Sequence, residues 1–255
     1  MRHAWLALAG LLLAAAAPAQ QAAPPAAPPA TSLDTHLKNW EREMKNLNSL
    51  VLGDEKAPLT RTEKNKTFQY VDTFVGQARF LKPGYAILEM RKKDKPEVFE
   101  KFVCTGDFLY QYAPAQKQIR AHALPKPQPG QPGGDNFLSL LFDVKAADAL
   151  KRFDLKLEKE DPYYVYVIIQ PKNPQDKADF QKARVVLHKG TYLPRQLWFE
   201  QPNGDEVLWD IPRATANANL DRKEFTTPQV PTGWKMVEVP RGNSNVPPRV
   251  YRPSP

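Results

Sequence analysis

Leu33, Leu37, Trp40, Met44, Leu47 and Val51 recur at spacings of three and four, the period that lines one stripe of an amphipathic α-helix. Thr31 or Ser32 is placed to cap this helix, and Asp34 falls in its first turn, where the helix dipole favours an anion. The stripe is apolar on one side only and stops at Gly53, too soon for a coiled coil, so the helix is expected to lie on a sheet.

From about residue 59 the period becomes two. Strands are predicted at Phe74–Leu81, Tyr85–Arg91, Val98–Cys104, Phe108–Tyr112, Gln118–Ala123, Phe153–Lys159, Tyr163–Gln170, Ala183–His188, Arg195–Gln201 and Glu206–Ile211. Short turn-rich links such as Lys82-Pro83-Gly84, Thr105-Gly106-Asp107 and Pro202-Asn203-Gly204-Asp205 join them. Links this short connect antiparallel neighbours, because a parallel crossover needs a dozen residues or more. The expectation is an antiparallel meander.

Several strands are apolar on both alternating sets, among them Tyr163–Ile169 and Val98–Cys104, so neither face is left wholly to water. A strongly curved sheet with something held inside meets that demand, and so does a sheet covered by helices on both faces. After the Gly/Pro-rich stretch 125–134, Asn136–Phe142 is apolar almost all round and must be surrounded, as a lid over the concavity or as an ordinary core helix. Ala146–Arg152 continues as a second short helix. The predicted class is α+β: a strongly curved antiparallel sheet, or half-open β-barrel, with an N-terminal amphipathic helix and short lid helices.

Composition changes this picture at the ends. Of the 26 prolines among 255 residues, 16 lie in residues 18–29, 125–132 and 228–255, so the intervening sequence reads as ordinary globular chain. Arg2, the apolar run 4–17 and Ala17-Pro18-Ala19 form a signal-peptide pattern with cleavage after Ala19. At 1.5 Å per residue that run spans about 21 Å of helix, short of the roughly 30 Å of a bilayer core. No cysteine follows it to carry a lipid. The expected layout is signal peptide 1–19, Pro/Ala-rich linker 20–31, half-barrel domain 32–238 and Pro-rich tail 239–255, with a soluble periplasmic address.

The formal charge of +8 would fall to +7 with residues 1–19 removed. The cations are scattered in mixed-sign clusters, as a solvated surface is, so nucleic acid is not expected as a partner, whereas attraction to an anionic membrane surface is compatible.

Candidate chemistry is sparse. His36, His122 and His188 have no metal-ligand spacing, so neither a metal nor a cofactor is expected. G-x-S-x-G, P-loop and G-x-G-x-x-G patterns are absent. Glu160-Asp161 and Asp205-Glu206 lie beside turns, where carboxylates stay solvated, and Cys104 ends an apolar strand as a structural thiol. The reading is of a protein without catalysis.

Gly76-Gln77-Ala78-Arg79-Phe80-Leu81-Lys82-Pro83-Gly84, then Cys104-Thr105-Gly106-Asp107-Phe108-Leu109-Tyr110-Gln111-Tyr112-Ala113-Pro114, follow the N-terminal helix in an order that resembles the bacterial LolA-like and LolB-like lipoprotein-carrier superfamily. Leu193-Pro194-Arg195-Gln196-Leu197, Asn203-Gly204-Asp205 and Phe225-Thr226-Thr227-Pro228 are similar too, and the likeness covers roughly residues 32–238. It implies an open half-barrel whose concave apolar face receives lipoprotein acyl chains, with no cofactor and no chemistry. Inward candidates are Leu88, Met90, Phe102, Tyr110 and Trp209 on strands and Phe137 and Leu141 on the lid. The family has Arg, tying down the lid, where this chain has Lys82, a compact cation in place of a bidentate fork. The expected function is a monomeric extracytoplasmic binding protein holding an acyl chain or other apolar ligand, possible cargo including lipoproteins. The alternative is a periplasmic interaction or sensor module with an envelope protein as partner.

Overall fold

A computed structural model describes residues 32–124 and 145–239. The signal-peptide and linker assignments, the 125–134 stretch, Phe137 and Leu141 of the expected lid, and all of the tail except Val239 lie outside the described residues.

Helix α1 spans Leu33–Asn46, and Ser32 rather than Thr31 caps it, its side-chain oxygen accepting from the Thr35 N–H. The apolar stripe outruns the helix. Leu47 is already extended, and Val51 belongs to β1 (Ser49–Leu52), a strand too short to show a period of its own. Leu47, Leu50 and Leu52 nevertheless join Leu37, Trp40 and Met44 in one core, so two kinds of element continue the same hydrophobic run.

The remaining strands are β2 (Leu59–Asn65), β3 (Tyr70–Leu81), β4 (Tyr85–Lys92), β5 (Phe99–Thr105), β6 (Phe108–Ala113), β7 (Gln118–Ala123), β8 (Phe153–Glu160), β9 (Tyr164–Pro171), β10 (Lys182–His188), β11 (Pro194–Glu200), β12 (Glu206–Asp210), β13 (Ala214–Ala216) and β14 (Lys235–Val239). Short helices α2 (Ala146–Arg152) and α3 (Pro174–Lys177) flank β8 and β9. The spatial order is β14-β7-β6-β5-β4-β3-β2-β12-β11-β10-β9-β8, with β1 bridging β3 and β13. Every pairing is antiparallel except β14 on β7. Among the described residues β14 and β8 each pair on one side only, so the curved sheet does not close, and the fold is the expected half-open barrel.

The sheet turns at β3. One edge of this 12-residue strand is shared, by β2 up to Gly76 and by β1 from Ala78. A Cβ on Gly76 would sit 1.8 Å from the Glu89 carbonyl oxygen, so only glycine lets β4 approach this closely. Gly53, at φ +75°, takes the chain out of β1 and back towards β2 in a conformation that side chains disfavour.

Both sheet faces carry cores, as the two apolar sets require. On the inner face α1 packs over β2–β4 and β8–β11, burying Trp40, Met90, Phe153, Val167 and Leu187. On the outer face of β4–β7, Ile87, Val103, Tyr110 and Ile119 are covered by the C-terminal segment through Leu220, Phe225, Trp234 and Met236. The strongly apolar β9 differs, because the outward Tyr164 and Tyr166 are only half-buried beside His188 and Lys159.

Candidate functional site

Strand registers place two cross-strand rows side by side on the inner face, at the edge of the α1-covered core. One runs Phe80, Ala86, Cys104, Leu109, His122. The other runs Ala78, Leu88, Phe102, Gln111, Arg120. Phe80 and Leu88 touch the main core, whereas Phe102, Cys104 and Leu109 belong to neither buried hydrophobic cluster and are half-buried. The rows thus form an apolar strip that ends on β6 and β7 in buried Gln111 and a half-buried polar rim of Arg120 and His122. Burial first, and the Arg120 charge second, hold the His122 imidazole below its ordinary pKa. Nε2 of His122 is enclosed and has no hydrogen-bond partner among the described residues.

Beside the strip, where the end of α1 meets the β3–β4 turn, lies a pocket of about 230 Å³. Leu47, Leu50, Phe80, Leu81 and Ala86 give it apolar walls, and Lys82 stands at its margin. Lys82 Nζ donates to the Met44 carbonyl at 2.8 Å, so this cation ties the last turn of α1 to the end of β3.

The described inward candidates separate. Leu88 and Phe102 are neighbours on the strip. Met90 shares their face but is fully buried in the core, and Trp209 lies further round that face on β12. Tyr110 points to the opposite face, where it packs in the outer core and its hydroxyl lies 3.1 Å from Thr227 Oγ1. Its parity follows from the turn at Gly106: pairing of Cys104 with Leu109 passes the inward set from even numbers on β5 to odd numbers on β6. Leu88, Met90, Phe102, Tyr110 and Trp209 line neither this pocket nor the one bounded by Lys156, Ile168 and Lys182.

Two polar assemblies escaped the sequence reading. Arg61 on β2 is buried on the inner face and reaches across β3 and β4 to Glu100 on β5, forming two 2.7 Å hydrogen bonds. Its guanidinium lies 4.5 Å from the Phe74 ring centroid and 5.2 Å from that of Trp209. Nε is 2.9 Å from Glu63, an ion-pair contact whose angle falls short of a hydrogen bond. Burial opposes the charge, but the bonds and charge of Glu100, with the charge of Glu63, outweigh it and raise the guanidinium pKa. Trp209 therefore stacks on a fixed cation.

At the opposite end of the barrel, His36 Nε2 lies 2.7 Å from Glu160 and Nδ1 lies 3.0 Å from the Tyr192 hydroxyl, which accepts from Asn39 Nδ2 at 3.1 Å. The donor order that satisfies all of them runs from Asn39 to Tyr192 to His36 to Glu160. Hydroxyl, imidazole and carboxylate in series can serve acyl transfer when the hydroxyl is open to substrate. Here His36 and Tyr192 are buried, and the series fastens α1 to β8 and to the β10–β11 turn. Cys104 Sγ donates to the Gly84 carbonyl at 2.9 Å, and burial pushes its thiol pKa up, away from thiolate chemistry. Among the described residues, no group of three or more His, Cys, Asp or Glu is placed to hold a metal, and no helix is long and apolar enough to cross a membrane.

No protein-family model matches the sequence, and no curated protein matches it. Solved structures do. One is an outer membrane lipoprotein-sorting protein domain, so described, from Vibrio parahaemolyticus (11% identity, 75% of this chain and 96% of that chain covered, TM-score 0.38). Another is MucB in complex with MucA from Pseudomonas aeruginosa (14% identity, 78% and 62% covered, TM-score 0.41). A third is a LolA superfamily protein from Nitrosomonas europaea (11% identity, 78% and 99% covered, TM-score 0.36). The structures to which this chain is similar thus include a member of the superfamily that its sequence resembles.

Proposed function

We propose that this chain is an extracytoplasmic binding protein that holds an acyl chain or another apolar ligand against the inner face of β3–β6, in lipid or lipoprotein trafficking and without catalysis. The observation that carries the reading is the half-buried strip Phe80, Leu88, Phe102 and Leu109, continuous with the core yet outside its densest packing. Each CH₂ taken from water contributes about 0.8 kcal/mol, so even a shallow apolar strip is an adequate temporary host for a chain. The rim at Arg120 and His122 would meet the polar end of such a ligand. Signal-peptide cleavage after Ala19, a domain over 32–238 and a monomeric periplasmic protein belong to the same proposal.

The test is native mass spectrometry of residues 20–255 after exposure to phospholipid or diacylated peptide, with Leu88→Glu and Phe102→Glu alongside. The reading expects a bound lipid that both substitutions expel from folded protein. Lipid-free wild type that also leaves fluorescent fatty acids unbound would sink it.

Closed packing around Met90 and Trp40 favours a second reading, a non-catalytic interaction or sensor module in which the inner face is simply core. Under that reading an envelope protein partner would still be captured by the Leu88→Glu and Phe102→Glu variants.

A further inference from the structure

The two rows of the inner face continue past β7 onto β14, where Val237 pairs with Arg120, Val239 with His122 and Lys235 with Gln118. Met236 packs in the outer core, so its odd-numbered neighbours on β14 face inward. The inward positions of β6, β7 and β14 thus hold three basic groups, Arg120, His122 and Lys235, and no carboxylate.

The acids closest in register do not answer them. Glu238 shares the outward parity of Met236, and Asp107 lies in the β5–β6 turn, where both are exposed. Glu100, on the inner face of β5, is held by Arg61. Among the described residues no ion pair joins Arg120 to a carboxylate, and the neighbouring charge that moves the His122 pKa is the Arg120 cation.

The strip itself has the dimensions of one chain. From Phe80 on β3 to Leu109 on β6 there are three strand spacings, about 14 Å at ~4.8 Å each. A bilayer core of roughly 30 Å holds two acyl chains end to end, so one chain fills about 15 Å. Along the strands the rows stand two residues apart, about 7 Å, which is room for a single chain. The next strand, β7, brings Arg120 and His122 to the place of the head. At the far end Phe80 and Ala86 also wall the pocket of about 230 Å³, which takes the end of the tail. The reverse orientation is poorer, because Lys82 at that pocket already donates to the Met44 carbonyl.

We infer that this site selects a single-chain fatty carboxylate, its head paired with Arg120 beside His122 and its tail crossing Leu109, Phe102 and Cys104 to the pocket. The guanidinium fork matches the two oxygens of a carboxylate, and a diacyl lipid would need a second strip. The inference rests on the ligand reading proposed above and narrows it from any apolar chain to an acid.

The experiment measures retention of radiolabelled palmitate and radiolabelled methyl palmitate, each delivered from cyclodextrin, by immobilised residues 20–255 at neutral pH. Palmitate is expected to bind about tenfold or more tightly than its ester, a preference that salt weakens and that Arg120→Gln removes while ester binding persists. Equal wild-type affinity for acid and ester would overturn the inference and leave the apolar-ligand reading standing. Retention of neither would overturn both. A folded Arg120→Gln variant that keeps the full preference would also overturn the inference. Should that variant fold poorly, Arg120→Lys replaces it: the fork is lost but the charge is kept, so a reduced preference is expected and an undiminished one would count against the pairing.

Discussion

The inner face of this half-barrel has two unlike halves. Over β8–β11 and β2–β4 it lies beneath α1 and is packed shut, with Leu37, Trp40, Met90, Val167 and Leu187 removed from water. Over β5–β7 the same face contributes nothing to that core, and Phe102, Cys104 and Leu109 stay half-buried beside a polar rim. The β5–β7 half keeps its strands in place from behind, where the C-terminal segment seals the outer face with Phe225, Trp234 and Met236. One half is thus stabilised from the front and the other from the back. An apolar face whose strands are already supported from behind does not need α1 to hold them in place.

The largest effect should come from breaking the closed half. Trp40 is 1% exposed, and Trp40→Ala is expected to cost about 3–5 kcal/mol in urea unfolding, whereas Leu109→Ala in the open half should cost under about 2 kcal/mol. Equal costs would mean that both halves are core, and would favour the interaction-module reading over a ligand face.

Next in size is Arg61, which spans the boundary between the halves from β2 to β5. Arg61→Ala leaves Glu100 and Glu63 without their guanidinium, and a loss of about 3 kcal/mol is expected. Glu100→Gln, which keeps hydrogen-bonding capacity, should cost less. If Arg61→Ala unfolds at the wild-type midpoint, the crossbar is not part of what holds β2 to β5.

Much of this division is written in the sequence, and each missing part has a physical cause. The α1 stripe from Leu33 to Met44, a cap at Ser32 and most of the strand periods are local patterns, and the structure keeps them. The β1 strand went unseen because four residues cannot show a period beside a helix stripe of the same apolar character. Tyr110 depends on register across a turn, which decides the face and which alternation alone does not supply. The Arg61–Glu100 and His36–Glu160 contacts join residues 39 and 124 positions apart, and no spacing rule in a single sequence brings such partners together.

The anchor of α1 tests the closed half more gently. His36→Ala removes the link between Tyr192 and Glu160, with an expected loss of about 2–3 kcal/mol, and Tyr192→Phe, which deletes one hydroxyl, about 1 kcal/mol. Hydrogen exchange should show α1 opening before the β4–β7 sheet in His36→Ala. Opening of both together would mean that α1 and the sheet form one cooperative unit.

The smallest effect belongs to the open half and depends on pH. Burial, then the Arg120 charge, lowers the His122 pKa below the value of about 6.5 expected of an unfolded chain. Between the two values the unfolded chain binds a proton that the folded protein does not, so stability rises with pH across that window. The contribution is whole above about pH 6.5 and is lost as pH falls towards the folded pKa. Urea midpoints measured from neutral pH down to about pH 5 should therefore fall less steeply in His122→Gln than in wild type. The same series in the presence of an anionic amphiphile sharpens the point: a ligand whose head sits at the rim would favour protonated His122, raise its pKa in the folded protein and flatten the wild-type slope. A wild-type slope that matches the variant's would place His122 in an environment no different from water, and the polar rim would lose its claim to be part of an enclosed site.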